Sequence, residues 1–341
     1  MKYVFKQELD NIELEKVSKY CNSVDYCSLE QLAGFTQILY KTRINYFYII
    51  DDNEIKSFCQ INESFRSAQI IFGPVCCDKD LIIISINKII EYYKKKRFFY
   101  LGVQMYFKSG YEADFIEYAL NRDHSITYKY DNENTKSSIE IDLKESIEEI
   151  YGRMRKGHRS DIKRALRSGL TVHLLKDNNE LAQFTVVYMK MCRARKIAGH
   201  SSNELTGISE YLLKNKKGQI LLVKDTNQFV LGGVFLAYQG ISVRYLLGAS
   251  DPDKRDLPLL HLAIYEAIAN AKKEGFRYFD FWGYNHFAEL SDQAYYLNHF
   301  KKGFGGYYTF FAKKMNVNII PYGYKVHRSL VKIKKLWIGK S

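Results

Sequence analysis

Proline is scarce in this chain, four in 341 residues, and no apolar run approaches the roughly 18–20 residues a membrane span needs. The densest run, Leu81 to Ile90, is broken by Asn87 and Lys88. Glycine numbers only 21 while 46% of the residues are apolar, which excludes collagen-like, low-complexity and disordered classes. The six cysteines form no C-x-x-C pair and no Cys/His metal spacing, so they are expected to be reduced packing residues and no metal site is predicted. The first ten residues lack the apolar core of a signal peptide, which points to the cytoplasm. Common catalytic signatures are missing as well: there is no G-x-x-x-x-G-K-[ST], no G-x-S-x-G and no H-E-x-x-H. Gly303-Phe-Gly305-Gly306 leads into an aromatic run instead of a helix, unlike a dinucleotide-binding loop, and no cofactor is predicted. Asp251-Pro-Asp253 has the spacing of a chelating pair, but directly after a strand it reads as a turn.

What the chain has is positive charge, concentrated in two places. The net charge is +13; residues 151–170 carry seven Lys/Arg against one Asp, and residues 313–341 carry eight Lys/Arg and no acid. Two basic surfaces on an otherwise balanced protein point to an anionic partner: phosphate, nucleic acid or membrane headgroups. The length suits two domains. Strand-like and helix-like runs alternate, the pattern of an α/β or α+β protein. Ala68–Val75 reads as a strand stopped by Gly73-Pro74, Asp80–Lys96 as an amphipathic helix and Phe98–Val103 as the next strand. A second unit of the same order follows: a basic helix over Glu148–Leu166, a strand Leu170–Leu175, a helix Leu181–Ala198, a hairpin Ile220–Lys224 with Val230–Tyr238, and a strand Ile241–Leu247. A helix Leu259–Glu274 stopped by Gly275 and a strand Tyr278–Trp282 complete it.

Three segments in order resemble the FemABX family of peptidoglycan interpeptide-bridge aminoacyltransferases. They are Phe72-Gly73-Pro74-Val75 before an amphipathic helix; the basic stretch from Met154 through Lys163 to Gly169 running into a strand; and Glu274-Gly275 through Asp280-Phe-Trp-Gly283, followed by Phe300-Lys301-Lys302-Gly303-Phe304-Gly305-Gly306. The resemblance implies two tandem GNAT-type (acetyltransferase-like) domains with mixed sheets, one formed by residues 1–147 with 316–341 and the other by 148–315. No heptad run is present for the coiled-coil arm of some members, so the chain resembles the compact ones.

In that family an amino acid passes from aminoacyl-tRNA to an amine of the stem peptide of UDP-MurNAc-pentapeptide or of the lipid-linked precursor. The ester is already activated, so the enzyme must mainly hold an amine near the carbonyl and stabilise an oxyanion. The resemblance implies Lys301 as the cation beside that oxyanion, with Phe300 walling it off from water or packing in the core, and Asp280 as the group that orients the amine or accepts its proton, or as the cap of a turn. Arg195, with Arg193 beside it, is implied at the substrate diphosphate, and Tyr106 and Tyr245 along the peptide channel. The family's early-helix lysine is absent from Gly34–Leu39 and only Lys41 lies near. Arg155, Lys156, Arg159 and Lys163 on the basic helix are the expected tRNA contacts. His261 and His299 are expected in the core or behind the site.

A monomer is expected, working in the cytoplasm or at the inner face of the membrane, where the C-terminal helix with Leu330, Ile333 and Trp337 among lysines would touch anionic lipid or dock on its own domain. The rival enzyme is an acyl-CoA-dependent GNAT-type N-acyltransferase of cell-surface glycan synthesis. It would need a glycine-rich phosphate loop that neither Lys254–Leu260 nor Asp78–Leu81 supplies. A non-catalytic binder of nucleic acid or membrane would use the basic clusters alone.

Overall fold

The computed structural model describes residues 1–39, 42–108, 110–128 and 137–338. It divides into two units, Met1–Asp131 with Phe310–Ser341, and Asn132–Thr309.

The first unit runs β1 (Lys2–Lys6), α1 (Asn11–Ser23), α2 (Phe35–Leu39), β2 (Arg43–Asp51), β3 (Glu54–Ser64), β4 (Ser67–Ile71), α3 (Lys79–Lys95), β5 (Tyr100–Gln104), α4 (Tyr111–Asp123) and β6 (Ile126–Tyr128). Asp52 and Asn53 both take left-handed backbone (φ 47° and 63°), the two-residue turn that matches the twist of β2 and β3. β4 and β5 are parallel, so a crossover is required, and α3 supplies it. Asp78 caps α3 by accepting from the Asp80 and Leu81 amides, Ile82, Ile86, Ile89 and Tyr93 bury one face, and Lys94 and Lys95 meet the negative end of the helix dipole.

The second unit runs β7 (Ser137–Asp142), α5 (Ile147–Arg153), α6 (Lys156–Arg167), β8 (Thr171–Leu174), α7 (Asn178–Arg195), α8 (Ser202–Lys214), β9 (Gly218–Lys224), β10 (Val230–Gln239), β11 (Ser242–Ser250), α9 (Leu259–Lys273), β12 (Tyr278–Asp280), α10 (Gln293–Lys302) and β13 (Tyr307–Phe310). After it the chain returns to the first unit as β14 (Met315–Asn318) and α11 (Gly323–Ile338). The basic helix expected over Glu148–Leu166 is therefore two helices. Their break has a local cause: the Arg155 amide bonds the Gly303 carbonyl (2.8 Å), and Arg159 reaches back to the Gly152 and Met154 carbonyls at the end of α5.

Both sheets have seven strands and mixed direction, β1-β2-β3-β4-β5-β14-β6 and β8-β9-β10-β11-β12-β7-β13. In each, four antiparallel strands lead to a parallel pair bridged by a helix, β4/β5 through α3 and β11/β12 through α9. The α/β fold with two like units is as expected. Each sheet then takes its sixth strand from the segment that follows the other sheet's last strand: β14 between β5 and β6, and β7 between β12 and β13. The boundary drawn at 147/148 shifts accordingly, because Ser137–Asp142 pairs with Tyr278–Asp280 in the second sheet.

Candidate active site

The site begins where two strands of the second unit part. β11 pairs with β12 only over Ser242–Arg244, then continues beside β10 as far as Ser250. Its register against β10 slips at Tyr245/Leu247, leaving Leu246 unopposed, a bulge that turns the strand. Alternate residues face opposite sides of a strand, so Ile139, Ile141 and Phe279 enter the core under α6 and α9 while Glu140, Asp280 and Arg244 share the other face.

Those three form a row across β7, β12 and β11, with Glu140 opposite Asp280 and Asp280 opposite Arg244. Asp280 and Arg244 are fully buried and Glu140 nearly so. Thr309 donates to Glu140 Oε2 (2.8 Å), and the Trp282 amide (2.7 Å) and the Ser138 hydroxyl both donate to Asp280 Oδ1. Asp280 Oδ2 has no hydrogen-bond partner among the described residues. Burial, reinforced by the Glu140 charge, pushes the Asp280 carboxyl up to about 6, with Arg244 acting in the opposite sense. The Arg244 guanidinium stacks 3.5 Å over the Trp282 ring.

Trp282 and Gly283 follow β12 in left-handed backbone (φ 49° and 56°), unusual for a tryptophan. This turn directs both carbonyls at Lys301, whose ammonium donates to Trp282 O and to Gly283 O (2.9 Å). Lys301 lies in the last turn of α10 and is 5% exposed. Burial lowers its ammonium to about 8, with Asp280 opposing the shift. An ammonium has three donors and the carbonyls occupy two, which leaves one for a substrate oxygen. Beside α10, Tyr284, His286 and Tyr308 form an aromatic cluster with ring centroids 4.6–5.4 Å apart, and Lys302 sits 5.3 Å over Tyr308.

Lys301 and Asp280 are thus brought to one place. Phe300 is not at the lysine: successive helix residues point about 100° apart, and its ring packs with His158, His261 and Phe304. His158 bonds the Phe300 carbonyl (2.9 Å), and His261, held to about 4 chiefly by burial, packs on the same cluster near Asp161. Tyr245 is buried, its phenol pushed up by burial with Arg195 opposing, and Gly248 leaves room for it, since a Cβ there would lie 2.3 Å from the hydroxyl. Arg195 is exposed at the end of α7, its carbonyl accepting from Gln293. Arg193 lines an open groove of about 480 Å³ with Cys192, Lys196, His200 and Glu204. Tyr106 belongs to the first unit, stacked on Phe311 and edge-on to Phe72. Lys41 lies outside the described residues.

On α6, His158, Ile162 and Ala165 are buried while Lys156 and Lys163 are exposed. Arg155 and Arg159 are engaged within the protein, Arg155 with the His299 ring and carbonyl and Arg159 with the end of α5. The Asp251-Pro-Asp253 pair holds the Lys190 ammonium between its carboxylates, at 2.8 and 2.6 Å, as a turn bound by an ion pair. Arg244, Glu140, Ser138 and Trp282 were not singled out from the sequence. A signal existed for Arg244 alone: it is the one charge inside the apolar run Ile241–Leu247.

Residues 152–301 match the protein family described as Acetyltransferase (GNAT) domain. Over 117 residues the chain is 31% identical to the lipid II:glycine glycyltransferase of Staphylococcus haemolyticus, covering 33% of this chain and 28% of that protein. The match thus spans little more than a quarter of the relative's length. In fold the chain is similar to the crystal structure of FemX, with a TM-score of 0.78 and 16% identity over 93% of this chain and 97% of that one. It is also similar to L-PGS from Bacillus licheniformis, with a TM-score of 0.64 and 13% identity over 92% and 94%. The Lys301 and Asp280 pair lies inside the GNAT match.

Proposed function

We propose that the chain is a non-ribosomal aminoacyltransferase that moves an amino acid from aminoacyl-tRNA to an amine on the stem peptide of a peptidoglycan precursor, working in the cytoplasm or at the inner membrane face. The observation that carries this reading is the buried pair at the strand divergence: an acid raised to about 6 with a bare oxygen, and an ammonium lowered to about 8 with a donor to spare. The amine nitrogen attacks the ester carbonyl and the C–N bond forms. Asp280 takes the proton the nitrogen must lose, and the Lys301 ammonium stabilises the oxyanion. The C–O bond to the ribose then breaks, and the leaving oxygen takes the proton from Asp280, which returns to its ionised form. Near pH 7 Asp280 is mostly ionised and Lys301 mostly protonated, the states these roles require.

The flanks suit the donor. Tyr284, His286 and Tyr308 beside Lys302 offer ring faces and a cation of the kind an unpaired nucleotide end stacks on. Lys156 and Lys163 remain for phosphate contact, and Arg193 and Arg195 for a diphosphate. The family resemblance and the likeness of 117 residues to a lipid II:glycine glycyltransferase support a peptidoglycan acceptor. Acyl-CoA is disfavoured by the crossover helices. The first-turn amides of α3 are taken by Asp78, and α9 starts behind Pro258 with its first amide bonded to Leu257, which leaves a smaller amide cradle for a pyrophosphate at either helix.

The test is single-turnover transfer from radiolabelled aminoacyl-tRNAs to UDP-MurNAc-pentapeptide or its lipid-linked form, with acetyl-CoA in parallel. Label appearing on either precursor, lost in Lys301→Ala with tRNA binding intact, is the expected result. Acetyl-CoA consumption with no transfer from tRNA overturns the reading.

A further inference from the structure

Helix α11 docks on the first unit through one face only. Tyr324 is buried with its ring edge-on to Tyr100 (5.1 Å), and His327 packs against Tyr100, Phe99 and Phe65. At intervals of three and four residues the helix carries a second apolar line, Val326, Leu330 and Ile333, which is exposed at 38%, 38% and 51%. Lys325, Arg328 and Lys332 are exposed on the same helix.

Two segments distant in sequence meet this helix. The turn between β3 and β4 presents Phe65, 55% exposed, and Arg66. The end of α3 and the turn into β5 present the exposed run Lys94-Lys95-Lys96-Arg97. They are tied together by the Phe99 amide, which bonds the Arg66 carbonyl at 2.7 Å, and His327 packs on the rings of Phe65 and Phe99. One end of the first unit therefore gathers cations from three segments around exposed apolar side chains, and none of Ser64–Ser67, Lys94–Phe99 or Tyr322–Ile333 carries an acid.

We propose that this surface seats the protein on an anionic lipid bilayer. Charge alone would suit a nucleic acid equally, but aliphatic side chains standing out among the lysines gain nothing against phosphates in water. They gain burial at the boundary between headgroups and acyl chains, while the cations meet the anionic headgroups. The surface belongs to the first unit and does not depend on the chemistry assigned to Lys301 and Asp280, so the two can fail separately.

The experiment is cosedimentation with vesicles of phosphatidylcholine alone or containing about a third phosphatidylglycerol, with no tRNA or acceptor present. Binding to the anionic vesicles only, released by 0.5 M salt, is expected. Each cation near an anionic surface is worth roughly fivefold in partitioning. The triple variant Lys325→Glu/Arg328→Glu/Lys332→Glu should therefore bind at least tenfold more weakly, and Leu330→Glu/Ile333→Glu similarly, with unchanged thermal melts and unchanged transfer to the soluble acceptor. If a reversal variant fails to fold, Lys325→Gln/Lys332→Gln with the salt titration serves instead. No binding, equal binding to neutral vesicles, or a loss of tRNA affinity in the triple variant with vesicle binding retained overturns the proposal.

Discussion

The two units share one strand plan and use it differently. At the end of the strand that follows the crossover helix, the first unit has Gln104, whose carbonyl accepts the Gly73 amide, and the second has Asp280, buried beside Glu140 and Arg244. In the first unit β4 ends in a closed junction: the Gln31 side chain bonds the Gln60 and Ile71 carbonyls, and a Cβ on Gly73 would strike it at 2.6 Å. In the second, β11 bulges away and the gap is lined by ionisable groups. A repeated scaffold thus carries two kinds of junction: the second unit's holds the buried row of Glu140, Asp280 and Arg244, and the first unit's the neutral side chains of Gln31 and Gln60.

The comparison breaks most severely if the shared plan is cut. Ending the chain at Thr309 removes β14, whose Met315 and Val317 are fully buried between β5 and β6, and the first unit should fail to fold, measured by loss of the cooperative melt. Next in size, Lys301→Ala should lower single-turnover transfer about 100-fold or more with tRNA affinity nearly unchanged, whereas Gln104→Ala in the first unit should cost little in rate.

The pH profile sharpens the same contrast. Transfer should rise as Asp280 ionises near 6 and fall as Lys301 loses its proton near 8, and Asp280→Asn should abolish the acid limb with a rate loss of about 10–100-fold. Stability moves the other way. The Asp280 carboxyl is raised in the folded state, so its stabilising effect is present below the ordinary value near 4 and is lost as pH rises through about 6. The Asp280→Asn melting temperature should accordingly fall less between pH 5 and pH 8 than that of the parent protein. Smallest of all, Arg159→Ala should cost about 1–2 kcal/mol of stability by freeing the carbonyls at the end of α5, while Lys156→Ala/Lys163→Ala should leave the melt unchanged and weaken tRNA binding.

Much of this was legible in the order of residues. The apolar spacing of Asp80–Lys96 and Leu259–Glu274 dictates amphipathic helices, because only a 3.6-residue period buries those side chains together. The alternating strand and helix runs dictate a repeated α/β plan. The family's Phe-Lys pair and the Asp after Tyr278-Phe279 marked Lys301 and Asp280. The partners of Phe300 and Arg159 lie in other segments and were not legible from single positions: His158 and His261 for the first, the carbonyls ending α5 for the second.

What the sequence by itself determined is local: helix and strand periods and the charge of the C-terminal segment. Only the tertiary structure decided that β7 and β14 change places between sheets, that Glu140, Asp280 and Arg244 form one buried row, and that Phe65, Lys94–Arg97 and α11 share one end of a unit. These depend on strand pairing between residues tens to hundreds of positions apart, where contact is set by sheet register and burial rather than by any spacing along the chain.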